Sequence, residues 1–180
     1  MSGDYTVLMP PNESRNIMTL ASSHSKYHRT MLQYFEEEIM GEIYFYGMSK
    51  YFDQVEVREK LTLLAKVEQH TSNALQPLIR RYGLTPRPGP EMEAKANIWM
   101  EERRHLGWCG LMQQMADEYP AFVDMFKELE KQAPEEDSPA LKLLTDHEIV
   151  LIEFANREIA GDPDSLQPVH RFINTPLPAN

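Results

Sequence analysis

LTLLAKVE (residues 61–68) and LKLLTDHE (residues 141–148) decide the fold class. Each puts two leucines three residues apart, at 61 and 64 and at 141 and 144, with a glutamate four residues later. Steps of three and four hold side chains on one face of an α-helix, whereas a strand would send them to both faces. Carried onward, the first stripe runs through Thr71, Leu75, Leu78 and Tyr82, and the second through Leu151 and Ala155. Two more segments carry such a stripe: Met31, Phe35, Glu38, Glu42, Phe45, and Leu111, Met115, Glu118, Phe122, Met125, Leu129. Four amphipathic helices burying their stripes against one another make a four-helix bundle, so the expected class is all-α.

Proline and glycine set the boundaries. Pro10 and Pro11 close an irregular N-terminal segment, residues 1–15, and a first helix is expected over 16–52. Asp53 followed by Glu56 reads as a capping box for a helix over 54–82, which stops at Gly83. GLTPRPGP (residues 83–90) cannot be helical, and Pro90 presets a third helix over 91–132 with a break near Pro120. Ser138 and Pro139 open a fourth over 139–160, closed by Gly161 and Pro163. The helical domain is therefore 16–161, and the Pro-rich C-terminal tail, 162–180, is expected to drape over the surface.

Composition excludes several classes. The net charge of −10 argues against broad phosphate contact with nucleic acid and against a bare anionic membrane. No apolar run approaches the roughly 18 residues of a membrane span, and MSGDYTVLMPPNES lacks the basic-then-apolar order of a secretory signal. Cys109 is the single cysteine, so no internal disulfide is available. The expectation is a cytoplasmic chain, binding neither nucleic acid nor membrane. Trp99, Trp108 and 11 methionines offer more apolar surface than one bundle needs, which points to a homodimer or larger homo-oligomer.

Each of the four stripes is apolar except for a glutamate near its middle: Glu38, Glu68, Glu118 and Glu148. Glu38 and Glu118 are 80 residues apart, as are Glu68 and Glu148, so the chain reads as two helical hairpins of one plan. A buried carboxylate must be paired, protonated or metal-bound, and clustered carboxylates repel unless a cation lies between them. Two readings follow. In one the acids hold a metal, with Glu42 as a fifth ligand. In the other they flank the core and pair with Lys66, Arg157 or Arg58. The neighbours of Glu38, Glu36 and Glu37, are read as a solvated face.

On these residues the chain resembles the ferritin-like superfamily of di-iron and di-manganese carboxylate bundles, over about residues 31–161. That pattern has one Glu from each of two helices and Glu-x-x-His from each of the other two. Thr71 and Leu151 stand where the two histidines belong. His70 lies about 200° round the helix from Glu68, and His147 about 100° from Glu148, so neither is expected in the site. One intact Glu-x-x-His, Glu102 with His105, offers a competing set with Glu38 and Glu68. The resemblance implies iron or manganese held by Glu38, Glu42, Glu68, Glu118 and Glu148, and oxidoreductase chemistry on dioxygen and a small-molecule substrate. The rival expectation is a metal-free helical bundle that acts by self-association or partner binding and catalyses nothing.

Overall fold

A computed structural model describes residues 11–178, with side chains from residue 26 onward; the first ten residues of the expected irregular segment lie outside the described residues, and the other five, 11–15, are helical, so the first helix starts at Pro11 rather than 16. Among the described residues every element is a helix. Six helices of eleven or more residues are α1 (Pro11–Met48), α2 (Val55–Arg81), α3 (Gly89–Arg103), α4 (Gly107–Glu118), α5 (Pro120–Glu130) and α6 (Ser138–Ile159). A 3-10 turn, Ser49–Tyr51, follows α1, and a seven-residue helix, α7 (Gln167–Ile173), ends the series. None of the described helices is long and apolar enough to cross a membrane.

The expected third helix, 91–132, is three helices. Pro120 breaks it as its missing N–H requires. A second break falls at Arg104–Leu106, because Gly107 takes a left-handed φ of +65° that ends one helix and starts the next. The two halves then diverge. α3 packs along α1, burying Met92, Ala96 and Met100, and Met100 lies directly on Gly47, where no side chain intervenes. α4 and α5 together line α6, α6 also packs on α2, α2 on α1, and α5 touches α1.

The break at Pro120 also corrects the third stripe. The expected path steps from Met115 by three to Glu118; the inward path steps by four to half-buried Tyr119 and on through half-buried Phe122 to buried Val123 and Phe126. Glu118 and Met125 therefore face outward. On α1 the core-facing residue after Glu38 is Gly41, and Glu42 is only half-buried.

Buried apolar side chains form two principal clusters. One gathers Met48, Leu61, Leu64, Leu111, Leu151 and Phe154; the other gathers Met31, Phe35, Leu75, Leu78, Phe126, Leu141 and Leu144. On α1, α2 and α6 the buried charged or ionisable residues between the main parts of the two clusters are Glu38, Glu68 and the pair His147–Glu148. A polar layer thus divides the core at mid-height.

The C-terminal segment does not drape over the surface. α7 inserts Val169 and Phe172 into the first cluster, against α2 and α6. Trp108, read from sequence as part of a dimer face, sits edge-on to Phe52 and Phe154 and donates its indole N–H to Glu158 at 2.9 Å. Replacing Phe172 by Ala removes a buried ring and leaves a cavity, so Phe172→Ala is expected to lower unfolding free energy by about 3 kcal/mol. Denaturant unfolding measures it, and a change near zero would mean α7 is not part of the core.

Candidate metal centre

Four polar side chains meet in the dividing layer. α1 supplies Glu38, α2 supplies Glu68, and α6 supplies His147 and Glu148. All are buried, His147 to 1% exposure. His147 Nε2 lies 3.2 Å from Glu38 Oε2, 3.8 Å from Glu68 Oε2 and 3.9 Å from Glu148 Oε1. Glu38, Glu68 and His147 each present a ligand atom, all within 4.8 Å of one another, so the group could hold a metal ion.

The backbone makes room for this convergence at Gly41. A Cβ there would sit 2.7 Å from Glu68 Oε2, so any larger residue would displace the carboxylate from its place against α1. From α6, two consecutive residues reach the same centre although their Cβ directions differ by about 100°. The centre lies between the two directions, and both side chains are long enough to bend toward it.

His147 is held in one tautomer. Its Nδ1–H donates to the Leu144 carbonyl within the same helix, which leaves the Nε2 lone pair facing the acids. Burial drives its pKa down to about 4, so the ring is neutral. The acids shift the other way. Burial first, then the charges of Glu68 and Glu148, raise Glu38 well above the ordinary range. Burial and the Glu68 charge do the same to Glu148, and burial lifts Glu68 to about 8 despite a hydrogen bond with Glu38. Among the described residues, buried Glu38 Oε2 and Glu148 Oε2 accept no hydrogen bond. An imidazole lone pair 3.2 Å from a carboxylate oxygen sets acceptor against acceptor unless a proton or a metal ion bridges them.

Beside the cluster opens a cavity of about 150 Å³. Glu38, Glu68 and Glu148 line one side; Met115, Tyr119, Phe122 and Phe126 line another, and Trp99 and Arg103 reach it from α3. The rings of Phe122 and Phe126 stack at 6.4 Å between centroids, and Phe126 continues to His147 at 5.8 Å. Tyr119 keeps its phenol protonated, because burial raises its pKa well above the usual value.

Of the five acids named from sequence, the fold brings three together. Glu118 also borders the cavity, but it is exposed and accepts from Gln114 at 3.1 Å. Glu42 accepts from Gln69 at 2.8 Å. In the competing pair, Glu102 and His105 are both exposed, and Glu102 instead pairs with Arg103. Glu36 is not on a solvated face. It is buried and clamps Arg87, accepting from the backbone N and Nε at 2.7 Å each, which pins the loop leading into α3. His70, as expected, points elsewhere, toward Phe172.

His147 was the residue sequence reasoning set aside. The repeat held the signal: superimposing LTLLAKVE on LKLLTDHE puts His147 over Val67, which is fully buried. A histidine at such a position needs a polar partner inside the core. Comparison with family models, with curated proteins and with solved structures finds no match to the chain.

The shifts fix a sign for stability against pH. Glu68, with a folded pKa of about 8, stabilises the fold while protonated, and that contribution is lost as pH rises from the ordinary carboxylate range through about 8. His147 acts oppositely and lower: the folded chain resists charging it, so stability falls as pH drops from its usual 6.5 toward 4. Between about pH 6.5 and 8.5 the acids act without the histidine. Stripped of metal by a chelator, the chain is expected to melt at a lower temperature at pH 8.5 than at pH 6.5. A flat or rising thermal profile over that window would contradict the neutral cluster.

Proposed function

We propose that this chain is a ferritin-like bundle, with α1, α2, α4–α5 and α6 as its four arms, that binds one divalent iron or manganese ion for oxidoreductase chemistry. Glu38, Glu68 and His147 are the ligands, and Glu148 stands beside them as a further carboxylate. The observation that carries this reading is the fixed lone pair of neutral His147 aimed into a nest of acids. Metal–donor bonds of about 2.0–2.2 Å put neighbouring donors roughly 3–3.5 Å apart, close to the distances present. The two buried carboxylate oxygens without a partner fit the same account. Carboxylates suit manganese and imidazole suits iron, and the mixed set serves either ion.

One ion is favoured over two. A two-ion centre uses a fourth buried acid and a second histidine, but Glu118 is exposed, and Thr71 and Leu151 occupy the histidine positions. A redox-active ion bound here would supply electron exchange with dioxygen. The chain's own residues do the rest. Phe122, Phe126 and Met115 give the cavity an apolar wall, and the protonated Tyr119 phenol adds a hydrogen-bond donor to its lining. Gly41 and the Leu144 carbonyl hold Glu68 and His147 in place.

A second reading has its own support. Glu38, Glu68 and Glu148 all have raised pKa values, so a metal-free core could be neutralised by protons alone. The two differ in sign. Protein purified from cells supplied with iron and manganese is expected to carry close to one ion per chain by elemental analysis. Glu68→Gln should then lose both the ion and thermal stability, because the ion links three helices. A chain without metal, whose Glu68→Gln variant is as stable or more so, would replace this reading with the metal-free bundle.

A further inference from the structure

The cavity beside the cluster has its own chemistry. Its volume, about 150 Å³, matches an apolar-walled cavity that holds one benzene ring. Tyr119, Phe122 and Phe126 present aromatic surface along α5, and Met112 and Met115 face it with polarisable sulfur, a combination suited to a flat π system. The opposite feature is Arg103, brought to the cavity by α3. It is 28% exposed, and its hydrogen bonds, to the Trp99 carbonyl and to Glu102, use only Nη1. Among the described residues neither Nε nor Nη2 has a hydrogen-bond partner. Of the five acids that line the cavity, Glu38, Glu68 and Glu148 belong to the buried cluster, while Glu118 accepts from Gln114 and Glu37 from Gln33.

We infer that the cavity binds a small single-ring aromatic carboxylate, its ring between the α5 aromatics and the methionines and its carboxylate on Arg103. This deepens the proposed function by naming the ligand of that site, but it does not need the metal to be present. The planar guanidinium fork pairs with a carboxylate through two parallel bonds, so Arg103 selects an acid over a bare ring. The ring supplies affinity, the arginine specificity.

Calorimetric titration with benzoate, benzene and acetate tests it, on both the chelator-treated and the metal-loaded full chain, with metal content measured on the same samples. Benzoate is expected to bind both forms, benzene more weakly, and acetate at equal concentration not at all. Arg103→Gln should weaken benzoate at least about tenfold, as loss of a charge-assisted contact does, and leave benzene unchanged. Phe122→Trp, which fills the cavity, should block both rings. Benzoate binding that ignores Arg103→Gln, acetate binding as tightly as benzoate, or no binding of either ring would overturn the inference. A metal-free chain that binds benzoate through Arg103 would sustain it while removing the metal reading, and a metal-loaded chain that takes no ring would do the reverse.

Discussion

The contact between His147 Nε2 and the Glu38 carboxylate sets the terms for the rest of the molecule. Two hydrogen-bond acceptors, with two more glutamates beside them, occupy a buried layer. Such a layer can be neutral through protons or compensated by a cation, but it cannot be left bare, since isolated buried charge costs several kcal/mol even after relaxation. The fold spends a continuous apolar core on it, splitting that core in two.

The surrounding structure holds this layer rigid from both sides along α6. At one end Asp137, fully buried, accepts hydrogen bonds from Tyr27 at 2.8 Å, Tyr82 at 2.7 Å and Arg81 at 2.9 Å, tying α1 and α2 to the start of α6. At the other end Glu158 accepts from Lys60, Trp108 and Ser165, tying α2, α4 and the turn before α7. Glu148 stands about midway, roughly 15 Å from each knot at the rise of an α-helix. Satisfied polar networks of this kind fix register more firmly than apolar contacts alone. Three helices must keep their glutamates and histidine within ångströms of one another, and the two knots are placed to do that.

How much of this was legible in the sequence depended on whether local periodicity or tertiary direction decided the matter. The helical class and the burial of Glu38, Glu68 and Glu148 follow from stripes of three and four, and the structure agrees with them, as it does with the breaks near Gly83, Pro120 and Gly161; the first helix instead starts at Pro11, and Gln54 rather than Asp53 caps α2. Glu118 went wrong because a heptad step of three and one of four look alike next to a proline, and the fold took the longer step to Tyr119. The break at Gly107 depends on a positive φ that a lone glycine permits but does not announce. Glu36 looked solvated because its partner, Arg87, is 51 residues away in a loop. His147 was set aside on Cβ direction, a rule that holds for short side chains and fails for two long ones that flank their target. α7 was hidden because a Pro-rich segment suggested no helix, yet Pro168 sits in the first turn, where proline is tolerated.

The central claim is that the acid layer is neutral without metal and compensated by a cation when metal binds. Binding must then expel protons from Glu38, Glu68 and Glu148, because a ligating carboxylate is deprotonated. Calorimetric titration of the chelator-treated chain with manganese(II) at pH 7, repeated in buffers of different ionisation enthalpy, counts those protons directly. The account predicts more than one proton released per ion bound, with a single saturating site. Saturable binding without proton release would contradict it, because the ion would then sit on carboxylates already ionised at the surface.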